Sequence, residues 1–246
     1  MLTVGLLYPG HSAEDDYPTY LARAGRPEVR LPLIHTSVGT DAHRVDDLLD
    51  LGSPQRLLAG ARELAEQHQV AALMWACTSG SFVFGWSGAH QQVRELEEAT
   101  GLPTSSTSLA FVSACAALGI DRVAVAASYP SDVAELFAGF LDRGGVSVSA
   151  MGARDIVTAA EVGTLGREAV LALAASVDRS GAQAVLVPDT ALHTLAWIPD
   201  LQAELGMPVL TANQVTIFEG LRLLGPVPPL PGLGDLFQEA ALEPRS

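Results

Sequence analysis

The chain has 246 residues, 48% of them hydrophobic, and its 28 acidic against 14 basic side chains leave a formal net charge of -14. Acidity of that size argues against nucleic acid or an anionic membrane surface as a partner, so an anionic substrate has to be gripped locally, by amides and hydroxyls. Two cysteines do not make a disulfide framework, which points to a reducing cytoplasm.

The chain opens Leu2-Thr3-Val4-Gly5-Leu6-Leu7-Tyr8-Pro9-Gly10. No basic segment precedes this apolar run, and it is too short for a signal peptide or a membrane span. It reads as a first buried strand, 3–8, in a soluble cytoplasmic protein. Further strand-like runs lie at 31–35, 70–75, 122–127, 146–150 and 184–187, and several are apolar without alternation, as parallel strands covered on both faces are. Helical patterns fall between them at 54–67, 91–99, 109–118, 131–143, 165–178 and 217–224. This alternation predicts an α/β fold with parallel sheets flanked by helices. The run Asp41-Ala42-His43-Arg44-Val45-Asp46-Asp47 reads equally as a lid or as a solvated helix. The proline-rich stretch 225–231 reads as an extended strap or a frayed tail.

The strand at 70–75 stops at Ala76-Cys77-Thr78-Ser79-Gly80-Ser81. A thiol at a strand end, flanked by hydroxyls and exposed amides, suits a nucleophile that must hold a carboxylate beside its sulfur. The plain alternative is an ordinary buried cysteine.

The chain also repeats itself. After 70–75 come Cys77-Thr78-Ser79, then Gly101-Leu102-Pro103, a polar cluster and a helix ending at Leu118-Gly119. After 184–187 come Pro188-Asp189-Thr190, then Gly206-Met207-Pro208, the cluster Thr211-Ala212-Asn213-Gln214 and a helix ending at Leu224-Gly225. The repeat predicts two similar lobes related by a pseudo-twofold axis, 1–106 together with 212–246 and then 107–211, with Cys77 and Asp189 at equivalent strand ends across a cleft.

On Ala76-Cys77-Thr78-Ser79-Gly80-Ser81, Ala99-Thr100-Gly101-Leu102-Pro103, Ala116-Ala117-Leu118-Gly119, Ser128-Tyr129-Pro130-Ser131 and Asn213-Gln214, in this order and spacing, the chain resembles the Asp/Glu racemase superfamily, in its branch of maleate cis-trans isomerases and arylmalonate decarboxylases. The resemblance implies a catalytic cysteine from each lobe in racemases and isomerases, and only the second of the two in the decarboxylases. It implies Cys77 as nucleophile, and Thr78, Ser79 and Tyr129, joined by Thr190, as the residues that bind a carboxylate or a developing oxyanion. Tyr8, Pro9 and Gly80 are expected to line the pocket. No metal or cofactor is expected, the partner is a small carboxylate, and a homodimer is ordinary for the family. Tyr129 could equally be a turn residue before Pro130.

The chain departs from the family pattern where the second cysteine is expected: Asp189 stands there. The other cysteine, Cys115, sits in a small-residue helical pattern and reads as core. A neutral Asp189, its pKa raised by burial, could donate a proton opposite Cys77; the alternative is a cap on free amides. One thiol and one carboxyl rank isomerase above decarboxylase and decarboxylase above racemase, with a retired enzyme that only binds a small carboxylate as the non-catalytic reading. His193 and Trp197 follow Asp189 closely and are candidates for the pocket wall. The six histidines show no metal-ligand spacing.

Overall fold

The computed structural model describes residues 1–238; residues 239–246, assigned above to the first lobe, lie outside the described residues. The elements are, in order, β1 (Leu2–Pro9), α1 (Asp16–Ala24), β2 (Val29–Arg30), β3 (Leu33–Thr36), α2 (Val45–Leu51), α3 (Pro54–Gln67), β4 (Ala72–Trp75), α4 (Ser79–Phe82), α5 (Gly85–Thr100), β5 (Thr104–Ser106) and α6 (Thr107–Leu118). There follow β6 (Arg122–Ala127), α7 (Ser131–Arg143), β7 (Ser147–Ala153), α8 (Ala159–Gly163), α9 (Arg167–Ala175), β8 (Ala184–Val187), α10 (Ile198–Leu205), β9 (Val209–Thr211), α11 (Ala212–Arg222) and a 3-10 turn, Asp235–Phe237.

The strands make two parallel sheets. The first is ordered β2-β1-β4-β5, with β3 also paired to β1; the second is ordered β7-β6-β8-β9. Reading β1 against β6 and β4 against β8, the two sheets share one neighbour order, the topological form of the repeat in the sequence. The repeated Gly-x-Pro has a local cause. Gly101 and Gly206 end α5 and α10 in the left-handed conformation, at φ 68° and 65°, and the proline two residues on cannot continue a helix.

The apolar runs of the second sheet are explained by cover on both faces. Val123, Val125 and Ala127 of β6 and Ala184 and Leu186 of β8 pack into the main core. Ala124 and Ala126, with Val185 and Val187, face a smaller cluster holding Val170, Leu173 and Leu201 of α9 and α10. From Val123 to Ala127 and from Ala184 to Val187 every side chain is buried, so there is no polar face to produce alternation. No helix among the described residues is long and apolar enough to cross a membrane.

Several boundaries differ from the sequence expectation. The strand expected at 31–35 is β3, which begins at Leu33 and ends at Thr36, and a separate short β2 precedes it, both on β1. Helix α5 begins at Gly85 rather than 91, and α11 begins at Ala212 rather than 217. In the latter the polar cluster is the helix start: the Thr211 side chain accepts from the Gln214 amide, and Gln214 reaches back to the Thr211 N–H at 3.0 Å, a capping box. The proline-rich stretch is a strap. Val227, Leu230 and Leu233 are buried, and Tyr20 and Gln214 donate to the carbonyls of Pro231 and Leu233.

Candidate active site

Strands β4 and β8 both end at one cavity of about 150 Å³, a size that in protein interiors holds a benzene-sized molecule. Of the residues expected there from the sequence, Tyr8, Pro9, Cys77, Ser79, Asp189 and Thr190 line it. Thr78, Gly80 and Tyr129 stand behind that wall, and all but Gly80 are essentially without solvent exposure. His193 and Trp197 are not part of it; His193 pairs instead with Asp15 at 2.8 Å, and Trp197 packs against the smaller core.

Cys77 lies in the turn between β4 and α4. Its Sγ accepts the Gly80 N–H at 3.3 Å and has the Ser79 hydroxyl 3.9 Å away. Burial pushes the thiol up to about 12, outweighing those donors, and the charge of Asp189 acts in the same direction. The ligand-free thiol is therefore protonated at neutral pH. Its loop is tightly held. Gln92 of α5 donates to the carbonyls of Gly52 and Gly80 at 2.7 and 2.9 Å, and a Cβ on Gly80 would stand 3.1 Å from Sγ.

Asp189 lies just beyond β8, buried. Ser128, directly after β6, donates to its Oδ2, and the Ala191 N–H donates to Oδ1 at 2.9 Å. It does cap a free amide, but in a loop well before α10, and it faces the cavity while doing so. The Tyr129 hydroxyl donates to the Pro188 carbonyl at 2.7 Å, and burial holds its pKa well above the usual phenol value. Tyr129 thus buttresses the Asp189 loop. The Thr78 Oγ1 is buried without a hydrogen-bond partner, a state that usually costs stability unless a ligand or water relieves it. Tyr8 ties the sheets together: its hydroxyl donates to the Thr190 carbonyl at 2.9 Å and accepts from the Ala13 N–H.

His43 is a pocket residue that sequence reasoning passed over. It is buried, its ring meets Tyr129 edge-on at 5.0 Å, and its Nε2 lies 4.0 Å from Asp189 Oδ2. Its Nδ1 is 3.0 Å from the Ile156 carbonyl, which can only accept, so Nδ1 bears the hydrogen and Nε2 turns to Asp189. The Asp41 carboxylate receives the N–H groups of Ala159 and Ala160 at 2.9 and 3.1 Å. The two readings of 41–47 are thus both realised: Asp41 to His43 line the cavity and are pinned to the start of α8, and α2 follows from Val45. Spacing along the chain carried no sign of this, because the anchors lie more than a hundred residues away.

Among the described residues no Lys or Arg lines the cavity; its charged or titratable groups are Cys77, Asp189, Asp41, His11, His43 and Tyr8. Two parallel sheets bring a thiol and a carboxyl from equivalent strand ends to one small cavity, an α/β scaffold with a candidate site at its strand ends.

Comparison with known proteins gives that scaffold a family. The family model for arylmalonate decarboxylase matches residues 52–237. Arylmalonate decarboxylase of Bordetella bronchiseptica is 33% identical over 188 residues, 73% of this chain and 76% of that one. A maleate isomerase of Nocardia farcinica is 29% identical over 174 residues, 68% of this chain and 69% of that one. Among solved structures, a mutant Nocardia farcinica maleate cis-trans isomerase with a covalently bound succinylcysteine intermediate is similar, with a TM-score of 0.85 at 25% identity over 96% of this chain and 98% of that one. The chain belongs to the arylmalonate decarboxylase family, in the branch that also holds the maleate isomerases.

Proposed function

We propose that the protein is a cofactor-independent cis-trans isomerase of a maleate-like dicarboxylate, with Cys77 as nucleophile and Asp189 as proton carrier. The observation that carries this reading is the placement of Cys77 at the end of β4, on the wall of a small cavity shared with Asp189. A cysteine adduct in the similar Nocardia structure supports the same chemistry.

In the proposed reaction Asp189 takes the thiol proton as Sγ attacks one alkene carbon of maleate. The C–S bond forms, the π electrons move to the neighbouring carbon, and Asp189 returns the proton there. The former double bond is now single and rotates. The steps then reverse, expelling Sγ and leaving fumarate. Ser79 and Thr190 on the wall are the donors for the substrate carboxylates, with Thr78 behind them; Tyr129 holds the Asp189 loop in place. Amides and hydroxyls aimed at developing negative charge in a dry site are worth more than in water, which offsets the missing cations.

The family match and the 33% identity favour a second reading, loss of carbon dioxide from a malonate followed by protonation of the enediolate by Cys77 or Asp189. A proton NMR time course in heavy water separates the two, with maleate in one tube and phenylmalonate in another and the Cys77→Ala protein beside each. The isomerase reading predicts fumarate from maleate, abolished in Cys77→Ala. Phenylacetate without fumarate replaces it by the decarboxylase, and ligand-induced thermal stabilisation with no turnover of either replaces both by a binding protein.

A further inference from the structure

Around His11, a residue of the cavity wall, three side chains converge that the proposed reaction does not use. His11 and Glu14 come from the turn between β1 and α1, and His35 from β3, where it stands in register with Tyr8. We propose that His11, Glu14 and His35 bind one divalent transition-metal ion of the zinc type.

The geometry is that of a site rather than of a chance pair. His11 Nδ1 lies 2.9 Å and His35 Nε2 3.4 Å from the same oxygen, Glu14 Oε1, and all three candidate ligand atoms lie within 4.8 Å of one another. Ligands at about 2.0–2.1 Å on the corners of a tetrahedron are about 3.3 Å apart; the His35–Glu14 separation already matches that edge, and the His11–Glu14 separation needs only a small widening. The two imidazole rings are in contact, tilted at 44° with centroids 3.9 Å apart.

The donor set selects the metal. Two imidazoles and one carboxylate suit zinc and its neighbours, and not calcium or magnesium, which want oxygen cages. The carboxylate is pre-oriented as well: the Ser12 N–H donates to Glu14 Oε2 at 2.7 Å, leaving Oε1 for the ion. The turn that carries Ser12 is in turn fixed by Tyr8, whose hydroxyl meets the Ser12 Oγ at 2.7 Å. A Cβ on Gly163 would press on the Ser12 backbone at 2.9 Å, so α8 backs the same turn from the second lobe.

Three protein ligands leave a fourth position open, as in sites that take water or substrate. Here it adjoins the cavity, since His11 is also a wall residue, and among the described residues the wall has no Lys or Arg. A dication beside the cavity gives a carboxylate ligand its one full positive charge in a strongly acidic protein. The ion thus raises the concentration of an anion beside the cavity and takes no part in the reaction at Cys77, which needs no metal. The site stands on its own ligands and does not depend on which reaction Cys77 performs.

The test is calorimetric titration of the tag-free, chelator-treated full chain with zinc, and cobalt substitution read by visible absorption. One zinc per chain and the intense bands of four-coordinate cobalt are expected. Both should survive His68→Ala, which lies outside the cluster, and affinity should fall at least about tenfold in His35→Ala and in Glu14→Gln. His35 is exposed, so its loss leaves the fold intact, which circular dichroism checks. No stoichiometric binding, or binding equally strong in both cluster variants, overturns the proposal. Because these readouts need no turnover, failure of the metal site and failure of the isomerase reading are told apart.

Discussion

Cys77 shows how a single position in the chain acquires chemistry from its surroundings. The sequence marks it by its flanking hydroxyls and by its place after an apolar strand, and the structure puts it on the cavity wall. What spacing could not give is its protonation state, which comes from burial by side chains distant in sequence. With the folded thiol at about 12 against an ordinary 9.0, the thiolate fraction keeps rising through the alkaline range. Iodoacetamide labelling of Cys77, read by peptide mass spectrometry on the ligand-free protein, should climb about tenfold per pH unit from 7 to 10 without levelling near 9. Labelling that saturates below pH 9 would mean a thiolate stabilised by its loop. The sign for stability follows from the same displacement. Below pH 9 the thiol is protonated in both states and adds no slope. Between about 9 and 12 the unfolded chain releases a proton that the folded chain keeps, so this contribution is lost as pH rises, and Cys115, also raised to about 12, acts alike. The other site residues divide by their mode of detection. The strand-end position of Asp189 follows the repeat, whereas the place of His43 on the cavity wall was not legible, because its partners Ile156, Tyr129 and Asp189 lie far along the chain.

Among the elements, long segments with clear apolar patterns were legible and short polar ones were not. Helix α1 is an instance: its run Asp16-Tyr17-Pro18-Thr19-Tyr20 carries few aliphatic residues and a proline, and no helix is expected there. In the structure Asp16 is buried, and its Oδ2 accepts from the N–H groups of Thr194 and Leu195 and from Asn213 Nδ2, at 2.9, 3.1 and 3.0 Å. One carboxylate thereby joins the start of α1, the loop after Asp189 and the start of α11. Burial nonetheless raises its pKa, more than these three donors lower it. Removing it strands buried donors, so Asp16→Ala should cost about 3 kcal/mol in urea unfolding, and Asp16→Asn, which keeps an accepting oxygen, distinctly less. Equal losses in the two variants would show that the hydrogen bonds are not what matters there.

For the molecule as a whole, the sequence repeat told more than any single motif. Two sheets with one neighbour order place equivalent strand ends, β4 and β8, at one cavity. The cover of that cavity was legible only as one of two readings of 41–47, because the segment over it is held by contacts that have no periodicity: Asp41 on the start of α8 and the His43 N–H on the Val157 carbonyl at 2.6 Å. On the proposed reading, this arrangement exists to let Sγ of Cys77 add to a bound alkene while Asp189 carries its proton. The most direct measurement is acid quench of the protein during turnover of maleate, followed by intact-mass and peptide mass spectrometry. The account predicts one succinyl group on the peptide containing Cys77, absent from Cys77→Ala. A Cys77 peptide that stays unmodified, with or without fumarate in the solution, contradicts it.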